Sequence, residues 1–216
     1  MVILADLTVT QPTAGGISLL ELLVKGGVII IPIILLSFLT IYIFVQKLLF
    51  ISKNSKVERD FTNRILRELE KGKIDEALHV CRNNNSMGKI FESGVQFVGK
   101  PVREIEAIME TSANVEISKM EKHTAYLGII AGVAPMLGFI GTIAGVITIF
   151  YNISMSDNIS IGVISDGLYK KMVSSGTGLL VGVVAYACYH YLQMQIDKFM
   201  HKLQEEELHF IKSIQQ

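Results

Sequence analysis

Three long stretches of this chain contain no Asp, Glu, Lys or Arg: residues 26–46, Thr124–Ser156 and Met172–Ile196. Each exceeds the minimum of about 17 residues that a helix needs to cross a bilayer. Backbone in hydrocarbon must satisfy its own hydrogen bonds, so runs of this length and polarity fold as helices. Half of the 216 residues are hydrophobic and mean hydropathy is +0.44, too apolar for an ordinary soluble domain. The expected fold is therefore an all-α integral membrane protein with three transmembrane helices, over 27–49, 125–152 and 169–194.

Lys and Arg near the span ends give the orientation. Lys53, Lys56, Arg59 and Arg64 follow the first span, Lys119 and Lys122 precede the second, and Lys198 and Lys202 follow the third. The segment Ile153–Tyr169 has neither Lys nor Arg, although Lys170 and Lys171 follow at once. This pattern predicts a cytoplasmic segment over 50–124 and a cytoplasmic C-terminal helix over 195–216. It leaves residues 1–26 and a short loop over 153–168 on the other side.

The long segment reads as helices. Val57, Phe61, Ile65 and Leu69 recur at helical spacing, Gly72 breaks the pattern, and Ile74, Ala77, Leu78 and Cys81 resume it. Asn83–Ser86 reads as a turn. From Pro101 the pattern runs to the second span without Gly or Pro, which predicts one continuous helix from about 101 to 152. Phe199, Leu203 and Phe210 extend the third span past the membrane in the same way. Long helices with apolar stripes need partners, so the chain is expected to oligomerise.

Within the spans the informative residues are small or hydroxylated. Gly138, Gly141 and Gly145 surround one hydroxyl, Thr142, and on a helix Gly138, Thr142 and Gly145 share a face. In the third span Ser175, Gly178, Gly182 and Ala185 form a second small stripe, with GxxxG at Gly178–Gly182. Such stripes let helices approach closely. Counted from the span ends, Thr142 and Ser175 fall within roughly 6 Å in depth, so the two hydroxyls could line one seam. A plainer reading stays open, in which each hydroxyl only bonds a carbonyl of its own helix.

Equally informative is what the spans lack. None contains Asp or Glu, so any proton crossing here needs a carboxylate brought by another protein. Asp166 and Lys170, four residues apart, form a possible charge pair at the outer start of the third span. His190 sits near its inner end, before Asp197. His79 and Cys81 have no second ligand pair at suitable spacing, so no metal and no cofactor is expected. There is no Walker loop, and Ser174–Gly178 has no His or Asp at its depth to make a nucleophile, so no enzyme activity is expected. Formal net charge is zero with acids and bases interleaved, which gives no reason to expect a nucleic-acid partner. Cys81 and Cys188 share no motif and read as reduced structural residues. The N-terminus lacks a basic start before an apolar core, so no cleaved secretory signal is expected.

Ala134-Pro-Met-Leu-Gly-Phe-Ile-Gly-Thr-Ile-Ala-Gly145 resembles the second-span signature of the MotA/TolQ/ExbB proton-channel family. Ser174-Ser-Gly-Thr-Gly-Leu-Leu-Val-Gly-Val-Val-Ala185 resembles its third-span signature, and Lys71–Cys81 resembles its Gly-x-x-x-x-Ala-x-x-x-Cys helix. Three spans and a long first cytoplasmic segment match the ExbB and TolQ branches. The resemblance implies a pentamer in a bacterial inner membrane, with the N-terminus periplasmic. It also implies single-span partners of the ExbD/TolR type that carry a membrane Asp, and proton-driven work on a TonB-like periplasmic protein for outer-membrane import. TolQ-like use, gliding-type use and a non-conducting scaffold are the alternatives. On matching positions, Thr142 and Ser175 correspond to pore hydroxyls, while Lys170 stands where ExbB commonly has an acid.

Overall fold

A computed structural model describes residues 28–56, 58, 60–155 and 161–215; the side chains of Val163 and Lys170 are not among those described. The expected 1–26 segment and the centre of the 153–168 loop lie outside the described residues. Seven helices are described: α1 (Ile30–Asn54), α2 (Phe61–Glu70), α3 (Ile74–Arg82), α4 (Ser86–Val95), α5 (Val102–Glu121), α6 (Thr124–Ser154) and α7 (Ile161–Ile214). No strand occurs among the described residues. The spans Ile30–Asn54, Thr124–Ser154 and Ile164–Ile214 are long and apolar enough to cross a membrane. The fold is an all-α membrane protein with three such helices.

Local chemistry accounts for several helix ends. Pro32 lies in the first turn of α1, where its missing N–H has no intrahelical partner to lose. Gly72 (φ +72) closes α2: its N–H donates to Leu69 O and that of Lys73 to Glu68 O, the paired bonds of a Schellman cap. Asp75 and Glu76 then place negative charge on the first turn of α3, where the helix dipole favours it. Pro101 caps α5 at its N-terminus.

One expectation fails. Residues 101–152 do not form a continuous helix: Lys122 is extended (φ −51, ψ 127) and His123 is left-handed (φ 73). An unbroken helix would give the carbonyls of Lys119, Met120 and Glu121 to the N–H groups four residues on. Here Lys47 Nζ, from α1, takes Lys119 O at 3.2 Å and Met120 O at 3.3 Å, and Thr124 Oγ1 takes Glu121 O at 2.7 Å. Two of the three freed carbonyls thus find a tertiary partner and the third a local one. Helix α7 also starts at Ile161, inside the segment expected as loop; Gly162 and Gly167 weaken the helix there, but no Pro breaks it. It then runs 54 residues without a break, about 80 Å at 1.5 Å per residue.

The core has two parts. In the helical domain, α2–α5 pack on the far half of α7, around Phe61, Ile65, Phe91, Met109, Phe199 and Phe210. Phe91 stands edge-on to Phe61 (centroids 5.3 Å) and to Phe210 (5.4 Å), which ties α2, α4 and α7 at one point. A smaller cluster of Ile33, Ile130, Ala134, Val181 and Ala185 joins α1, α6 and α7.

The polar contacts of the domain support this packing. The Glu116 carboxylate is buried, accepts from Ser86 Oγ at 2.8 Å and pairs with Lys119 at 2.6 Å. Burial pushes its pKa up, but the hydrogen bonds from Lys119 and Ser86 and the charges of Lys89 and Lys119 outweigh that and hold it low. Burial, helped by the charge of Glu92, pushes the Cys81 thiol up to about 12, so it stays protonated and acts as a small apolar group.

Candidate functional site: the seam between α6 and α7

The seam is built on glycine. A Cβ added at Gly178 would stand 2.6 Å from Ala134 O, and one at Gly138 would stand 3.0 Å from Ser175 Cα. At Gly141 it would meet Ser174 Oγ at 2.9 Å, and at Gly182 the Pro135 ring at 2.5 Å and Ala131 O at 3.0 Å. The two backbones therefore touch where side chains normally keep them apart. Pro135 adds to this contact. It has no N–H for the carbonyl of Ala131, so that oxygen is left facing Gly182.

Thr142 lies beside this floor, half-exposed, one turn from Gly138. Its hydroxyl donates to Phe139 O at 2.7 Å in its own helix. The oxygen lone pairs remain to accept, so it can receive a proton donor as it stands and must rotate to become one. Ser175 abuts Gly138 through its backbone, which sets it four residues, or about 6 Å of rise, from Thr142. Gly138, Gly141, Gly145, Gly178 and Gly182 all face the opposite helix across the seam. Asp166 is exposed in the first turns of α7, and the backbone of Lys170 follows one turn on. His190 is exposed, edge-on to Tyr186 at 4.3 Å between ring centroids.

Two residues at the seam escape sequence reasoning. Ser174, not Ser175, is fully buried between the helices, and its hydroxyl donates to Lys171 O at 2.9 Å. Both 174-178-182 and 175-178-182 are helical spacings, so sequence alone does not choose between them. The second is Lys171. Its aliphatic stem lies across Gly145 so closely that a Cβ there would collide with it. That places a long cationic side chain three residues past Thr142. Local spacing carries no signal for this contact, which depends on how α7 lies against α6.

Residues 82–205 match the family model described as the MotA/TolQ/ExbB proton channel family. The chain is 30% identical over 192 residues to a biopolymer transport protein ExbB homolog of Methanothermobacter thermautotrophicus, covering 87% of this chain and 67% of that protein. It is 23% identical to the Tol-Pal system protein TolQ of Haemophilus influenzae, over 84% of this chain and 86% of that one. It is 23% identical to the biopolymer transport protein exbB1 of Vibrio cholerae, over 90% and 87% respectively. The matched region contains α4, α5, α6, the whole glycine seam and α7 as far as Glu205. A match over that span, with an ExbB homolog alike along most of the chain, places this protein in the MotA/TolQ/ExbB proton channel family.

Proposed function

We propose that this chain is the channel subunit of an ExbB-type motor in a bacterial inner membrane. In this reading its copies surround single-span partners of the ExbD/TolR type, and proton flow does mechanical work on a TonB-like periplasmic protein that serves outer-membrane import. The carrying observation is the chemistry of the seam. Hydroxyls at Thr142 and Ser175 flank a glycine-floored contact, and no Asp or Glu lies in the spans 27–49, 125–152 or 169–194. The chain supplies hydroxyls that donate and accept hydrogen bonds at the seam but no carboxylate to carry a proton through a cycle. The proton therefore arrives on a partner's carboxylate. Thr142 accepts from it while it is protonated, and rotates away from Phe139 O to donate to it once ionised. Residues 1–26 and 153–168 face the periplasm, and 50–124 and 195–216 face the cytoplasm.

The test is Thr142→Val, which keeps the volume and removes the hydroxyl. In vesicles containing the chain and its single-span partner, proton flux should fall to background while the subunits still co-purify. Full flux in that variant removes Thr142 from the pathway. A TolQ-type role is the second reading, favoured by the match to the Haemophilus influenzae TolQ along most of both chains. Outer-membrane import that persists after deletion of this gene, together with loss of envelope integrity, would select it.

A further inference from the structure

Where α1 meets the break between α5 and α6, a cavity of about 310 Å³ is lined by Gln46, Lys47, Phe50, Lys119, Lys122 and His123. Four of these six side chains are basic or can become so, and none is acidic. It lies at one end of the α6 apolar run, which starts at Thr124, and beside the last turns of α1. We infer that this cavity binds the phosphodiester headgroup of one anionic phospholipid, in the leaflet next to the helical domain.

The cations are distributed in a way that suits such a ligand. Lys47 is buried, and its ammonium is held by Lys119 O and Met120 O, so it forms a fixed positive floor. Lys119 leans towards Glu116, donating a hydrogen bond to its carboxylate at 2.6 Å. Lys122 and His123 are exposed, and among the described residues Lys122 has no carboxylate within ion-pair distance. The backbone break turns these last two side chains onto the cavity. Had α5 run into α6 as one helix, the carbonyls that hold Lys47 would be internally bonded. Glu121, the nearest acid in sequence, does not line this cavity; it lines an adjoining groove that shares Lys119, Lys122 and His123 with it.

Position decides between a lipid and a free phosphate. Phe50 and Tyr126 are both exposed at this level, 41% and 54%, and aromatic rings beside basic side chains are the usual furniture of a membrane–water boundary. A soluble anion has no use for that apolar rim, whereas a lipid's glycerol and first methylenes do. Juxtamembrane lysines gain most from anionic headgroups because their charges add at the surface. The inference needs only the membrane helices and the break, and it stands whether or not Thr142 lies on a proton path.

The experiment uses the full chain, purified and delipidated in detergent. Native mass spectrometry measures retention of dioleoylphosphatidylglycerol against dioleoylphosphatidylcholine. Wild type should keep one phosphatidylglycerol per subunit and prefer it over phosphatidylcholine. The double variant Lys122→Gln with His123→Asn should lose that preference about fivefold or more, the order expected for removing one or two surface cations. Asn tolerates the left-handed backbone at 123, and circular dichroism should show unchanged helix content. Gln46→Lys adds a cation and should strengthen retention, which keeps the idea testable if the double variant misfolds. Equal retention of both lipids by wild type overturns the proposal. So does an unchanged preference in the double variant, or displacement of the lipid by millimolar inorganic phosphate. A change in subunit number without a change in lipid retention overturns it too, because the cavity would then seat a neighbouring copy.

Discussion

The glycines of the α6–α7 seam differ in what stands opposite them, and this predicts different costs. Gly178 faces a backbone carbonyl, Ala134 O, which cannot move without moving α6. Gly178→Ala should therefore destabilise the protein by about 1–3 kcal/mol, the usual cost of overpacking. Gly132 sits in the same helix as Ala134 but has nothing within 4 Å. Gly132→Ala should be neutral or slightly stabilising, since Ala is the better helix former. Apparent Tm of the two purified variants checks the ordering, and equal losses would mean that backbone proximity is not what matters. At this scale the sequence was only half legible. The small stripes at 138–145 and 178–182 announce close packing by their spacing alone. That Ser174 is the buried hydroxyl and that Lys171 crosses Gly145 depend on the neighbour's position, which local spacing does not encode.

A second residue-scale prediction concerns acid. Glu116 is held below its ordinary range, so its stabilisation is present above the unfolded-state pKa of about 4.3 and is lost as pH falls through the folded value. Glu116→Gln should cost about 1–2 kcal/mol at neutral pH. That figure is modest because Lys89 and Lys119 are each more than half exposed and screened by water. The gap between wild type and variant should close below about pH 4. Denaturation curves across that range measure it, and a gap that persists at low pH would mean the loss is packing rather than charge.

Among the elements, the informative one is the break at Lys122–His123. No Gly or Pro marks it, and both neighbouring helices carry residues that would continue. Its freed carbonyls are held by a lysine from α1 some 72 residues earlier in the chain, and a contact that distant leaves no local trace in the sequence. The spans themselves were legible for the opposite reason: an uncharged run is a property of the run alone. Lys47→Met keeps the stem and removes the ammonium that holds Lys119 O and Met120 O. Losing a donor to buried carbonyls costs about 1–3 kcal/mol. Amide hydrogen exchange over residues 121–126 should change with it, while exchange in α2–α4 stays as in wild type. No difference at 121–126 would show that Lys47 follows the break rather than making it.

At the scale of the whole molecule, the helical domain and the membrane helices are joined by three routes. Helices α1 and α7 both pass from one to the other without interruption, and α5 reaches α6 only through the left-handed His123. The composition of the chain implied the division into membrane and extramembrane parts, because charged and uncharged stretches alternate at lengths of tens of residues. It did not imply which connections would be stiff. Phe210, near one end of α7, is locked edge-on to Phe91, while Gly178, far along the same helix, is locked against Ala134. These two anchor points share a single unbroken hydrogen-bond ladder. A twist applied to α7 beside Gly178 has no joint at which to dissipate, so it is delivered as torque on the aromatic cluster, whereas the same twist applied to α6 can be absorbed at its elbow. The two paths from the membrane helices to the helical domain thus differ in continuity: α7 is one unbroken ladder, and α5–α6 turns at its elbow.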